Sequence, residues 1–193
     1  MVKALIVVAH PDDETIWMGG RILREQSWEW AILSLCRKDD ADRKPKFFRV
    51  CSELNARAFI SDLEDEHPEK KLESLDEVVK RIEPVAMDKK FDFVFTHGLN
   101  GEYGHNRHME VHKAVAKMVG EGLIECKSLY NFSYVRRENP FMCVPDMKAR
   151  EIFALKPREL AKKKYLINAV YGFGKESFEF LSCSGKEAFT KVL

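Results

Sequence analysis

Apolar and polar positions along the chain switch repeatedly between two periods. Six consecutive apolar residues, Ala4 to Ala9, are too few for an ordinary helix and read as a short buried strand. Ile16, Gly19, Gly20, Ile22 and Leu23 then predict a helix lying close on a sheet, and Trp28 to Leu35 a second strand. A polar stretch, Arg37 to Lys46, follows. Phe47, Phe48, Cys51, Leu54 and Ala58 recur at helical spacing, Phe59 to Leu63 reads as a short third strand, and a charged loop holds His67 and Pro68. Leu75, Val78, Val79 and Ile82 mark another helix, stopped near Pro84. Phe91 to Thr96 is a strand with a continuously apolar centre, and a helix runs from about His105 to Val119. Leu129 to Val135 alternates as a strand, and Leu160 to Val170 has helical spacing with Lys162, Lys163 and Lys164 on its outer side. Phe178 to Leu181 fits a last short strand or a loop. Strands alternating with helices predict an α/β fold with a mostly parallel sheet flanked by helices, in a single domain over 1–193.

Composition narrows the function classes. The chain has 193 residues, 45% hydrophobic and 33% charged, which suits a globular protein with a large core. A formal net charge of +1 provides no whole-chain field for nucleic acid or a membrane surface, so Lys162 to Lys164 reads as a solvated helix face. The five cysteines are odd in number and lack a Cys-x-x-Cys pair, which argues against a disulfide framework or a thiolate zinc site and for a reducing, cytoplasmic setting. The apolar run before Pro11 is too short for a signal peptide core, and no stretch reaches membrane-spanning length.

Chemistry is expected where the first strand stops, at His10-Pro11-Asp12-Asp13-Glu14. Pro11 disfavours helical geometry at His10 and has no N–H of its own, so the chain leaves the sheet there. In open α/β sheets ligands bind beyond the carboxyl ends of the strands, which is where this loop falls. A second constellation is His105-Asn106-Arg107-His108-Met109-Glu110-Val111-His112. On a helix, spacings of three and four put His105, His108 and His112 near one face. The zincin His-Glu-x-x-His pattern is missing, so a metal held here borrows ligands from another element, and the His10 loop is the obvious donor. Imidazoles with a carboxylate suit a borderline first-row cation, zinc or another first-row divalent metal, and three protein ligands leave a position open for water. Two consecutive aspartates allow one to ligate while its neighbour serves as a general base; the residues alone do not say which does which.

Ala9-His10-Pro11-Asp12-Asp13-Glu14, together with Gly101-Glu102-Tyr103-Gly104-His105-x-x-His108-x-x-Val111, resembles the paired signature of the PIG-L (LmbE-like) metal-dependent N-deacetylases. At about one in twenty per position, His-Pro-Asp-Asp-Glu arises by chance in such a chain on the order of once in ten thousand. The resemblance implies a Rossmann-like sheet and a zinc-dependent hydrolase that removes the N-acetyl group from a small N-acetylglucosamine-containing substrate. Carried over by motif position, His10, Asp13 and His108 hold the metal, Asp12 is the general base, and His105 stabilises the oxyanion. Tyr103 is a second polar contact, and Arg43 and Glu14 are candidates for sugar hydroxyls or for orienting the metal ligands, with Arg43 the stronger substrate contact. His97 is carried over only weakly. The resemblance weakens after about residue 136.

The remaining singled-out residues have plainer readings. His112 packs or hydrogen-bonds one turn below the site, and His67 is a solvated loop histidine. Trp17 stands near enough to the His10 loop to touch a sugar ring. Members of the family often assemble, so a homo-oligomer is an open expectation; Phe173, Phe178 and Phe180 suit an interface or a core equally.

Overall fold

The computed structural model describes residues 1–67, 69–86 and 89–193, so Pro68 lies outside the described residues. The chain order is β1 (Lys3–Val8), α1 (Asp13–Arg24), β2 (Glu29–Cys36), α2 (Arg43–Glu53), β3 (Ala56–Leu63), α3 (Asp76–Ala86) and β4 (Lys90–Thr96). It continues with a one-turn α4 (Gly101–Gly104), α5 (Asn106–Gly120), β5 (Glu125–Phe132), the hairpin β6 (Tyr134–Glu138) and β7 (Phe141–Pro145), and β8 (Glu151–Ala154). Then come α6 (Pro157–Tyr165), a π-helical continuation Leu166–Tyr171, α7 (Phe178–Ser182) and β9 (Lys186–Lys191). Seven strands form one sheet in the order β3-β2-β1-β4-β5-β9-β8. The first five are parallel, and β9 and β8 extend the sheet antiparallel.

Strand β1 sits in the middle because both its faces are apolar. Ala4, Ile6 and Val8 pack with α1, α2 and the Leu166–Tyr171 segment, whereas Leu5, Val7 and Ala9 pack with α3 and α5. Period-two alternation within an unbroken apolar run thus supplies two cores, as expected of a parallel sheet covered by helices. The strand order runs outward through β2 and β3 on one side of β1 and through β4 and β5 on the other. The switch point therefore lies between β1 and β4, and a crevice opens beyond their carboxyl ends.

Several sequence expectations need correction. Lys163 is not on a solvated face: it is fully buried, and its Nζ lies 2.6 Å from Glu187 Oε1, which is also fully buried. Glu187 accepts from the backbone N–H groups of Gly20 (2.7 Å) and Arg21 (2.9 Å), just after Met18 breaks the helical geometry of α1. A Cβ on Gly20 would lie 2.4 Å from the Leu155 side chain, so a larger residue there displaces Leu155. Pro84 lies within α3, near its end, where only the bond to the Lys80 carbonyl is lost. The Phe47 helix begins earlier, at Arg43, and Ala58 belongs to β3. Leu129–Val135 divides between β5 and β6. Phe178 starts a helix because the Ser177 hydroxyl accepts from Phe180 N and caps it. Strand β9 was not foreseen, since buried Glu187 breaks its apolar pattern. Phe173, Phe178 and Phe180 are partly buried against the core.

Candidate active site

The site is assembled at the switch point by the loop after β1 and the loop and helices after β4. Asp12 has φ 119°, a conformation rarely adopted by residues with a side chain. Its own N–H donates to Glu14 Oε2 (3.0 Å), and Glu14 Oε1 also accepts from the hydroxyls of Thr15 (2.6 Å) and Tyr171 (2.9 Å). Glu14 is therefore fully buried beneath the turn and does not line the cleft; of the two roles open to it, only the orienting one fits its place. Trp17 is likewise fully buried, and its Nε1–H donates to Asp13 Oδ1 at 2.8 Å rather than facing a sugar. The backbone N–H of His10 donates to Asp13 Oδ2 at 2.8 Å. Two donors thus aim the Asp13 carboxylate before any ligand arrives.

His10, Asp13 and His108 meet at the bottom of the cleft. His10 Nδ1 lies 3.3 Å from His108 Nε2 and 3.4 Å from Asp13 Oδ2, and His108 Nε2 lies 3.5 Å from that same oxygen. Three donors around a tetrahedral zinc at bond lengths of roughly 2.0–2.1 Å stand about 3.3 Å apart, so this triangle fits such an ion without rearrangement. Two imidazoles and one carboxylate are also the ligand types that such an ion takes.

The His108 ring is set by Glu102, whose Oε2 lies 2.6 Å from His108 Nδ1 and 2.8 Å from His97 Nδ1, while Oε1 accepts from Gly98 N at 2.7 Å. With Nδ1–H committed to the carboxylate, His108 presents an unprotonated Nε2 to the cluster. Burial would raise the Glu102 pKa, but His97 and His108 hold it down to about 2. His97 Nε2 accepts from Ala9 N (3.0 Å), so this ring ties the two loops together. Gly98 is required sterically: a Cβ there would lie 2.6 Å from the Phe132 carbonyl oxygen. Glu102 has φ 59°, a strained conformation that its three hydrogen bonds sustain. His112 Nδ1 faces the His97 carbonyl oxygen at 3.0 Å, below the site.

On the other side of His10, Asp65 Oδ2 lies 3.1 Å from Nε2 and accepts from the Arg37 guanidinium at 2.8 Å. Burial would lower the His10 pKa, but Asp13 and Asp65 outweigh it and raise it to about 10. A divalent cation in the triangle answers the same demand for positive charge. The Asp65 loop is fastened by buried Arg107, which donates to the Glu64 and Lys70 carbonyls and to Glu110.

Asp12 stands beside the triangle with Oδ2 accepting from Arg43 at 2.7 Å. Burial and the Asp13 charge push its pKa well above the usual carboxylate range, and Arg43 opposes them. Arg43 therefore pairs with Asp12 rather than, through its guanidinium, with the aspartates of its own loop. His105 caps α5, its Nδ1 accepting from Arg107 N at 3.2 Å, which leaves Nε2–H as the donor. Burial, reinforced by His108 and His10, lowers its pKa to about 3, so this imidazole is neutral. Tyr103 packs edge-on to both His105 and His108. These groups border a cleft of about 210 Å³, closed on its far side by Phe178 and Glu179 of α7. A larger hollow, about 1030 Å³, opens at the opposite ends of the strands beside Trp28 and Arg57, and no histidine borders it.

Sequence reasoning missed Glu102, Asp65, Arg37 and Glu179. Glu102 had a local signal, an acidic residue shortly before paired histidines. Asp65 and Glu179 reach the cleft only through tertiary packing.

A seven-stranded, mostly parallel sheet carrying an imidazole–carboxylate cluster at its switch point defines the class. The chain belongs to the PIG-L family: the family profile described as "PIG-L: GlcNAc-PI de-N-acetylase" matches residues 5–119. An uncharacterised protein of Acanthamoeba polyphaga mimivirus is 26% identical over 153 residues, covering 72% of this chain and 65% of that protein. A 1D-myo-inositol 2-acetamido-2-deoxy-alpha-D-glucopyranoside deacetylase of Corynebacterium diphtheriae is 26% identical over 152 residues, covering 57% and 50%. The chain thus spans less than two thirds of the length of these relatives. Among solved structures, the N,N'-diacetylchitobiose deacetylase of Pyrococcus horikoshii superposes with a TM-score of 0.67 at 16% identity, covering 98% of this chain and 83% of that one. The 4-carboxy-2-hydroxymuconate hydratase GalB of Pseudomonas putida superposes with a TM-score of 0.69 at 17% identity, covering 100% and 97%. The same fold thus carries both a deacetylase and a hydratase, so the reaction must be argued from the site.

Proposed function

We propose that the protein is a zinc-dependent N-deacetylase acting on a small N-acetylglucosamine-containing substrate. The observation that carries this reading is the near-equilateral triangle of His10 Nδ1, Asp13 Oδ2 and His108 Nε2, with a fourth group, Asp12, beside it and outside it. When bound, a zinc ion there supplies Lewis acidity, polarising an amide carbonyl and bringing the pKa of water to roughly 7. Asp12 accepts the proton of the attacking water and returns it to the leaving nitrogen, so that acetate and a free amine are released. Its raised pKa favours the second half of that task, and Arg43 keeps its carboxylate available for the first. His105 directs Nε2–H at the carbonyl oxygen as negative charge develops, and Tyr103 lines the wall beside it. A reduced compartment is our reading of the five free cysteines; among the described residues no helix is long and apolar enough to cross a membrane.

The test is release of primary amine from a panel of N-acetylglucosamine derivatives by zinc-loaded protein, with a chelated control. Turnover confined to the loaded protein supports the reading. Stoichiometric zinc without release of amine from any acetamide would overturn it.

A further inference from the structure

Helix α7 contributes a charge to the cleft that lies outside the segment matched by the family profile, residues 5–119. Its Glu179 borders the cleft together with Phe178, which packs on Tyr103 (4.8 Å between ring centroids) and on Phe141 (5.0 Å) and so holds the helix against the wall. The Ser177 cap fixes the start of the same short helix. Among the described residues, the Glu179 carboxylate has no ion-pair or hydrogen-bond partner.

The cations of the cleft, in contrast, are committed. Arg43 is paired with Asp12 at 2.7 Å and Arg37 with Asp65 at 2.8 Å. His105 is neutral. Glu179 and both arginines border the same cleft. The cleft holds about 210 Å³, so a sugar ring bound in it lies close to its lining side chains, Glu179 among them. A phosphate on the side of that ring turned towards α7 meets Glu179 while both arginines are already paired, and like charges brought together at a binding surface disfavour the wrong partner.

Building on the deacetylase reading, we propose that Glu179 is a specificity-determining residue that makes the cleft select uncharged acetamido sugars over those carrying a phosphate or carboxylate on the ring. The test compares kcat/KM for methyl N-acetylglucosaminide and its 6-phosphate in zinc-loaded wild type and Glu179→Gln, at low and high salt. Wild type prefers the uncharged sugar, and Glu179→Gln narrows that preference on the order of tenfold, equivalent to about 1.4 kcal/mol. Salt shrinks the wild-type preference more than that of the variant, because the repulsion is screened. A merely structural role for Glu179 would not give this dependence. Equal use of both sugars by wild type, or an unchanged ratio in Glu179→Gln, overturns the proposal. If wild type hydrolyses neither sugar, the deacetylase reading fails, and charge selection is read from calorimetric binding of methyl N-acetylglucosaminide and its 6-phosphate, which are then not consumed. Weaker binding of the phosphate in wild type, relieved in Glu179→Gln, supports selection; equal affinity for both overturns it.

Discussion

Glu102→Gln tests how the metal-binding face of His108 is fixed. The native carboxylate receives His97 Nδ1–H, His108 Nδ1–H and Gly98 N–H at 2.8, 2.6 and 2.7 Å, all within the buried interior. Glutamine has the same shape but must place its NH2 at one of the two oxygen positions. At the Oε2 position it opposes two imidazole N–H groups, and at the Oε1 position it opposes the Gly98 N–H. The cheapest relief is a shift of the His108 proton to Nε2, the nitrogen that faces Asp13 and His10. Loss of such an orienting carboxylate typically costs 10–100-fold in metal affinity, or roughly 1.4–2.7 kcal/mol. Competition for zinc against a chromophoric chelator at neutral pH measures this directly, and circular dichroism checks that the variant is folded. A folded Glu102→Gln protein that binds zinc as tightly as wild type refutes the claim that Glu102 sets the tautomer.

Asp12→Asn keeps the three-residue triangle, so zinc binding persists while amine release falls by ~10²–10⁴, measured on the best substrate of the panel; equal turnover contradicts the general-base role. Because the pKa of His10 is raised to about 10 without a metal, zinc must displace a proton from this ring at neutral pH. Apparent affinity therefore rises with pH, by up to about tenfold per unit from this group, and calorimetry in buffers of different ionisation enthalpy detects the released proton. Binding without proton release contradicts this. Lys163→Met leaves the Glu187 carboxylate buried without its partner and costs about 3–5 kcal/mol in denaturant unfolding, whereas Lys163→Met with Glu187→Gln recovers much of that loss.

The parallel core of the fold was legible because β1, β2 and β4 are rich in apolar residues, interrupted only by Ser34 in β2 and Asp92 in β4, and the two histidine motifs fall beyond the ends of β1 and β4. The C-terminal third was harder to read. Lys163 and Glu187 neutralise each other inside the core, so two residues that normally signal solvent conceal a buried helix face and a strand. Ser177 converts an aromatic run into a helix by capping it. At the site, residue types and spacing singled out His10, Asp12, Asp13, His105 and His108, and the family resemblance added Tyr103 and Arg43, but Glu14 and Trp17 were given a share of the cleft that their burial denies them. Both support the carboxylates instead, Glu14 through the Asp12 backbone and Trp17 through Asp13 Oδ1. Asp65 was out of reach, since its approach to His10 depends on how Arg107 fastens a distant loop.

The most direct measurement of the central claim is bound zinc and released acetate on the same samples of wild type, Asp12→Asn and His108→Ala. Wild type is expected to bind one zinc and turn over, Asp12→Asn to bind one zinc with little turnover, and His108→Ala to bind zinc weakly with no turnover. Acetate release that survives complete removal of metal, or that persists undiminished in Asp12→Asn, would contradict that claim.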